Sequence, residues 1–249
     1  TDFPFHHVDR AREVMIARAA HTAGFAPKVE HAEPGVMVSA FIPSRTWGDT
    51  DVCANPERVA RLLRAFHHQM PPHITGPGFM FWPFHVIRDY ARTLSDADSP
   101  FANLIPGHLS LTAELEAAQI PMPIVFGHHD LLPANFLDDG DKLWLIDFEY
   151  GGFGTAMFDL AGAASNAGMT EAQSMTLLTA YFGQAPDAAT LRAFHAMQCA
   201  ALLREAMWAM VSALYLSAPG VDYDDYAREN LSKLDQTLAH YRDTYGTPA

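Results

Sequence analysis

Lysine is almost missing from this chain, and positive charge in general is short. Of 249 residues, 16 are Lys or Arg against 29 Asp or Glu, a formal net charge of -13, and the lysines are Lys28, Lys142 and Lys233 alone. A protein of this sign repels a phosphate backbone, and no basic run offsets it, which excludes a nucleic-acid partner. Cysteine is as scarce: Cys53 and Cys199 lie far apart and form no metal-ligand spacing, which argues against a disulfide framework and for a reducing compartment. No apolar run is long enough to span a bilayer and no signal peptide is visible, so membrane insertion is not expected and the cytoplasm is the expected location. Repeats, low-complexity tracts and a Gly-rich phosphate-cradling loop are also absent. The remaining composition, 49% hydrophobic and 18% charged, is that of a globular protein long enough for one large domain or two lobes.

What is present concentrates between Gly127 and Asp159, GHHDLLPANFLDDGDKLWLIDFEYGGFGTAMFD. Pro121 to Phe126 is apolar and β-favouring, and Phe136-Leu137 and Lys142 to Phe148 are short apolar segments. Between these two lies Asp-Asp-Gly-Asp, a turn signal, because Gly140 tolerates positive φ and Asp side chains bond turn backbone. The stretch reads as loop, short strand, turn, short strand, loop. Asp130 and Asn135 fall on the first loop, and Asp147 follows the second strand. Closing the hairpin would carry Asp147 back towards Asn135. Three oxygen donors at that spacing suit phosphoryl transfer. Asn135 and Asp147 match the preference of Mg²⁺ for hard oxygen ligands, and Asp130 is left to orient or deprotonate a substrate hydroxyl, a role worth about 10²–10⁴ in rate.

At these residues the chain resembles a known family. His128-x-Asp130-x4-Asn135, followed by Ile146-Asp147-Phe148-Glu149-Tyr150, is similar to the catalytic loop and metal-binding segment of choline/ethanolamine kinases, in the aminoglycoside phosphotransferase branch of protein-kinase-like enzymes. The resemblance implies an α+β, protein-kinase-like two-lobe fold. Residues 1–42 would be the remainder of a truncated small lobe and its hinge, and residues 43–249 a mainly α-helical large lobe with catalytic loop and acceptor site. It implies Mg²⁺, with ATP as co-substrate, and a small cationic alcohol such as choline or ethanolamine as acceptor. It further implies strands bearing a Gly-rich loop and a phosphate-binding Lys ahead of the first residue, which is Thr1 rather than Met. The expectation is therefore a longer translation product, or a chain that cannot hold ATP in the usual way.

In chain order, residues 8–24 predict a helix from Ala-rich spacing, with Asp9 near its start and Gly24 as a stop. On the resemblance Glu13 is this helix's nucleotide-side carboxylate; as sequence it reads equally as a solvated charge. Residues 28–33 and 35–42 predict strands around a Pro34-Gly35 turn. Ser39 and Phe41 would form the hinge against adenine, with Leu137 and Ile146 as the apolar floor below it. Residues 43–55 read as a polar linker. Pro56 to Gln69 predicts an amphipathic helix with Val59, Leu62, Leu63 and Phe66 on one face. Phe79 to Leu94 leads through core aromatics into another helix, Leu109 to Gln119 gives a further one, and from Thr170 onward the pattern is helical. Three His-His pairs, at 6–7, 67–68 and 128–129, invite a metal reading, but adjacent helix residues point apart and do not share one ion.

His128 is expected to bond the backbone of the catalytic loop and Asp159 to brace it, while Glu149 stays open between an accessory ligand and a surface charge. In the family the acceptor's ammonium is held by aromatic faces, here matched by Tyr150, Trp208 and Tyr223. Two positions depart from the family pattern: Ser165-Asn166-Ala167 replaces an expected acidic residue, and Val211 stands where a second ring is expected. An aminoglycoside or other small-alcohol kinase would share the catalytic residues. A metal-dependent phosphoesterase or a catalytically silent binding homologue are the readings from other classes.

Overall fold

The computed structural model describes residues 2–97, 99–217 and 220–246. It divides into two compact units, residues 1–81 with 122–186, and residues 82–121 with 187–249.

The first unit opens with α1 (Arg10–Thr22), which begins where Asp9 caps the N–H of Arg12 at 2.9 Å. Strands β1 (Val29–Glu33) and β2 (Val36–Ser39) form an antiparallel hairpin whose turn uses Gly35 at φ +86°. The second strand ends at Ser39, short of the predicted Ile42. The predicted linker is not one: it contains β3 (Arg45–Thr46) and α2 (Asp49–Ala54). Between them Trp47 is buried on Phe136, ring centroids 5.9 Å apart, with its Nε1–H donated to Asp138 at 3.1 Å. Trp47, the pairing of β3 with Leu137 and Asp138, and the bond from Gln173 to the carbonyl of Cys53 at 2.9 Å thus order a stretch whose polar composition reads as loop.

Helix α3 (Pro56–Gln69) has the predicted bounds, with Pro56 in its first turn, and buries Val59, Leu63, Phe66 and His67. After it comes β4 (Ile124–Gly127), then the hairpin of β5 (Phe136–Asp138) and β6 (Leu143–Leu145), with β3 on the outer edge of β5. The turn residue Gly140 lies at φ +99°. Strand β4 pairs with β7 (Gly152–Thr155), a strand that Gly-Phe-Gly-Thr does not announce. Its glycines are required by the neighbouring extended segment. A Cβ at Gly152 would lie 2.8 Å from the Phe79 ring, and one at Gly154 2.7 Å from the carbonyl of Phe81. The unit ends in α6 (Ala156–Ala167) and α7 (Glu171–Phe182). Phe66 is fully buried among Phe25, Phe126, His128 and Phe148, which packs α3 beneath the loops that follow β4 and β6.

The second unit is helical: α4 (Pro83–Asp96), α5 (Ile105–Ala117), α8 (Ala188–Tyr215) and α9 (Tyr223–Tyr245). Helix α8 packs against the other three. Helix α5 starts four residues before the predicted Leu109, because Pro106 is tolerated in a first turn.

Candidate active site

The loop after β4 hangs on one buried carboxylate. Asp159, in the first turn of α6, accepts the backbone N–H of His128 at 2.8 Å and that of His129 at 2.7 Å. It also bonds Nε2 of His67, at 2.8 Å. An ionised carboxylate has no proton to give, so His67 carries its proton on Nε2, and its Nδ1 accepts the Tyr181 hydroxyl at 2.7 Å. Burial alone would raise the Asp159 pKa; the bond from His67, together with the favourable interactions of His67, His128 and His129 around the carboxylate, outweighs it and holds the carboxyl below the usual range. Helices α3, α6 and α7 and the loop thereby converge on one charge.

The two loop histidines divide the remaining work. The N–H of Asp130 lies 3.3 Å from Nδ1 of His128, which places that ring's proton on Nε2, donated to the carbonyl of Ile146 at 2.9 Å. This bond ties the loop carrying Asp130 to the segment carrying Asp147. Burial lowers the His128 pKa, so the ring is neutral and both nitrogens are engaged. His129 takes a left-handed backbone at φ +65°. Its ring stacks on Phe81 at 4.3 Å and donates from Nδ1 to the carbonyl of Tyr150 at 3.1 Å. The slot is tight: a Cβ at Gly127 would lie 2.3 Å from its Nε2, and one at Gly154 2.9 Å. Burial pushes the His129 pKa down to about 4.

Asp130 is half-buried, and its carbonyl accepts the side-chain N–H of Asn135 at 2.8 Å. That bond fixes the amide's orientation and leaves Oδ1 as the atom that could ligate a cation. The carbonyl of Asn135 takes the N–H of Ile146 at 3.2 Å, so the hairpin brings the residue before Asp147 onto Asn135. Asp147 is exposed and adopts φ +68°, a conformation that costs a non-glycine residue about 1–3 kcal/mol and persists only where neighbours hold it. An amide oxygen and a carboxylate fit Mg²⁺, which typically takes one or two protein ligands and completes its shell with water and phosphate.

Glu13 is buried and paired with Arg10 at 2.6 Å; the same guanidinium nitrogen is 2.9 Å from Glu149. Burial, with Asp147 nearby, raises the pKa of Glu149. Ser39 ends β2 opposite Val29, and Phe41, beyond it, is 88% exposed. Leu137 sits in the middle strand between Thr46 and Trp144, half-buried like Ile146. Tyr150 is buried in the first unit, edge-on to Phe81. In the second unit Trp208 meets Tyr223 at 6.0 Å and Tyr226 at 6.3 Å, both edge-on, and the Tyr226 hydroxyl donates to Glu205 at 2.9 Å. In the sequence His67 stands out only as half of a His-His pair, and nothing marks Tyr181 or Tyr226 as part of a site.

The model of the choline/ethanolamine kinase family matches residues 4–175, a span that contains both loops. The chain belongs to this family. A probable ethanolamine kinase of Arabidopsis thaliana is 30% identical over 167 residues, 61% of this chain and 44% of that protein. A mouse choline/ethanolamine kinase is 28% identical over 163 residues, 59% and 40%. The chain spans less than half the length of these curated relatives. Among solved structures, a choline/ethanolamine kinase family protein from Mesorhizobium loti superposes with a TM-score of 0.78 at 27% identity, covering 93% of this chain and 79% of that one. The choline kinase LicA of Streptococcus pneumoniae gives 0.76 at 21% identity, covering 95% and 82%, a likeness of fold. The protein-kinase-like α+β architecture is thus the fold of this chain.

Within the family frame both departures have visible uses. Asn166 donates to the carbonyl of Leu131 at 3.1 Å, a second brace from α6 to the catalytic loop. Val211 is fully buried in α8, so a ring there would need a different helix packing.

Proposed function

We propose that this chain forms the catalytic part of an ATP-dependent kinase that phosphorylates the hydroxyl of a small amino alcohol such as ethanolamine or choline, within the cytoplasm. The carrying observation is the pinned pair of loops: Asp130 and Asn135 locked to each other, and Ile146 locked to both His128 and Asn135.

In this reading Asp130 accepts a hydrogen bond from the acceptor hydroxyl, aims its oxygen at the γ-phosphorus and takes its proton as the bond to phosphorus forms. Asn135 Oδ1 and the Asp147 carboxylate hold Mg²⁺, which when bound neutralises phosphate charge. His128 and Asp159 stay out of the proton transfer and fix the loop, since catalysis of a loose phosphoryl-transfer transition state is mostly positioning and electrostatics. Ser39 and Phe41, with Leu137 and Ile146, serve the nucleotide base, and Glu13 the phosphate side. Trp208 and Tyr223, which meet in the second unit, serve the ammonium through their ring faces. A LicA structure that contains AMP supports a nucleotide in this fold.

The test is ADP release from Mg²⁺-ATP with ethanolamine, choline, other amino alcohols and aminoglycosides, beside Asp130→Ala. Turnover that depends on an amino alcohol and vanishes in Asp130→Ala is expected. Turnover with aminoglycosides alone, or phosphate-ester hydrolysis without nucleotide, would overturn the reading.

A further inference from the structure

Arg10 opens α1, and its Nη1 lies 2.6 Å from Oε2 of Glu13 and 2.9 Å from Oε2 of Glu149. The first partner is one turn along the same helix. The second is distant in sequence and sits two residues after Asp147. The same end of α1 reaches that loop twice more. Arg12 donates from Nη2 to the carbonyl of Glu149 at 3.3 Å while its guanidinium lies 3.8 Å from the centre of the Phe79 ring. Ile16 packs on Gly151, where a Cβ would come within 2.9 Å of its Cδ1. Asp147 therefore sits in its left-handed backbone with a restraint on each side: Ile146 held by His128 and Asn135, Glu149 held by Arg10 and Arg12.

We propose that Arg10 is a positioning residue for the cation-binding loop: by fastening the Glu149 carboxylate to the first turn of α1, it keeps residues 147–151 in the conformation that presents Asp147. The proposal rests on the reading of Asp147 as a Mg²⁺ ligand. Glu13 sets the guanidinium in place, because a second carboxylate on the same nitrogen limits the swing of a long side chain that is 31% exposed. An isolated exposed ion pair does little. Here the pair closes a loop already joined to α1 through backbone and packing, so its loss frees a segment rather than two side chains.

The experiment compares wild type with Arg10→Met, which keeps the apolar stem and loses the fork. Hydrogen exchange is measured on peptides covering residues 147–151 of the metal-free protein, and Mn²⁺ alone is titrated by electron paramagnetic resonance. In Arg10→Met, exchange at 147–151 is expected to rise and Mn²⁺ affinity to fall about tenfold, the scale for groups that orient a metal ligand, with exchange in α3 and α8 unchanged. Glu149→Gln should reproduce both effects, and serves as the comparison if Arg10→Met does not fold. Exchange and Mn²⁺ affinity that both match wild type in these variants would overturn the proposal. Faster exchange at 147–151 in a protein whose wild type binds no Mn²⁺ would uphold the positioning role and remove the cation reading of Asp147.

Discussion

His129 has room only because residues 127 and 154 carry no side chain. Neither glycine is there for a positive φ; each is there for volume, which at Gly127 belongs to the residue next to Asp130 and at Gly154 is shared between that residue and the carbonyl of Phe81. Gly154→Ala should therefore push the imidazole off Phe81, lower stability by about 1–3 kcal/mol as overpacking does, and reduce kcat more than KM. Urea unfolding and steady-state kinetics on one preparation check this; an unchanged midpoint would show that the slot yields. In the proposed function Trp208 offers its ring to the acceptor's ammonium. A cation–π contact of about 0.5–2 kcal/mol predicts that Trp208→Ala raises the amino-alcohol KM roughly 2- to 30-fold while kcat changes less. An effect on kcat alone would assign the ring to packing.

Among elements, the join of α3, α6 and α7 through His67, Asp159 and Tyr181 decides whether the catalytic loop keeps its shape. Tyr181→Phe removes the hydroxyl donated to Nδ1 of His67 and should cost about 1 kcal/mol. His67→Phe strips a donor from a buried carboxylate and orphans the tyrosine hydroxyl, and should cost about 2–4 kcal/mol with a matching fall in kcat. Equal losses from both would contradict the order of the chain Tyr181, His67, Asp159. This join also marks the limit of what sequence discloses. Helix α3 is legible to its ends because its apolar spacing and Pro56 are local signals, and the β5–β6 hairpin because Asp-Asp-Gly-Asp encodes its own turn. Strand β7 is illegible because its glycines answer to Phe79, Phe81 and His129, all distant in sequence. For the site, the spacing of Asp130, Asn135 and Asp147 is visible, whereas the residues that immobilise them are scattered over helices that only folding assembles.

The molecule as a whole should be acid-sensitive well above the carboxylate range. Burial lowers the pKa of His108, His128 and His129, the last to about 4. Between pH ~6.5 and pH ~4 the unfolded chain takes up protons at these sites that the folded chain refuses, so stability falls as pH drops through that window. Glu149, raised by burial beside Asp147, acts in the opposite sense as one group against three. Asp138, held near pKa 2 chiefly by Arg58, adds its loss only below about pH 4. Urea midpoints at pH 7.5, 5.5 and 4.5 should decline in that order, and a flat series would mean that the histidines protonate without unfolding cost. The division of the chain into two units carries a consequence for synthesis. Helices α4 and α5 emerge early, yet the helix that packs against both begins at Ala188, and the whole segment 122–186 belongs to the other unit. At a ribosomal rate of about 5–20 residues per second, the α4–α5 pair waits roughly 4–14 s with its apolar face uncovered, which makes that pair the place where a nascent chain of this protein most needs a chaperone.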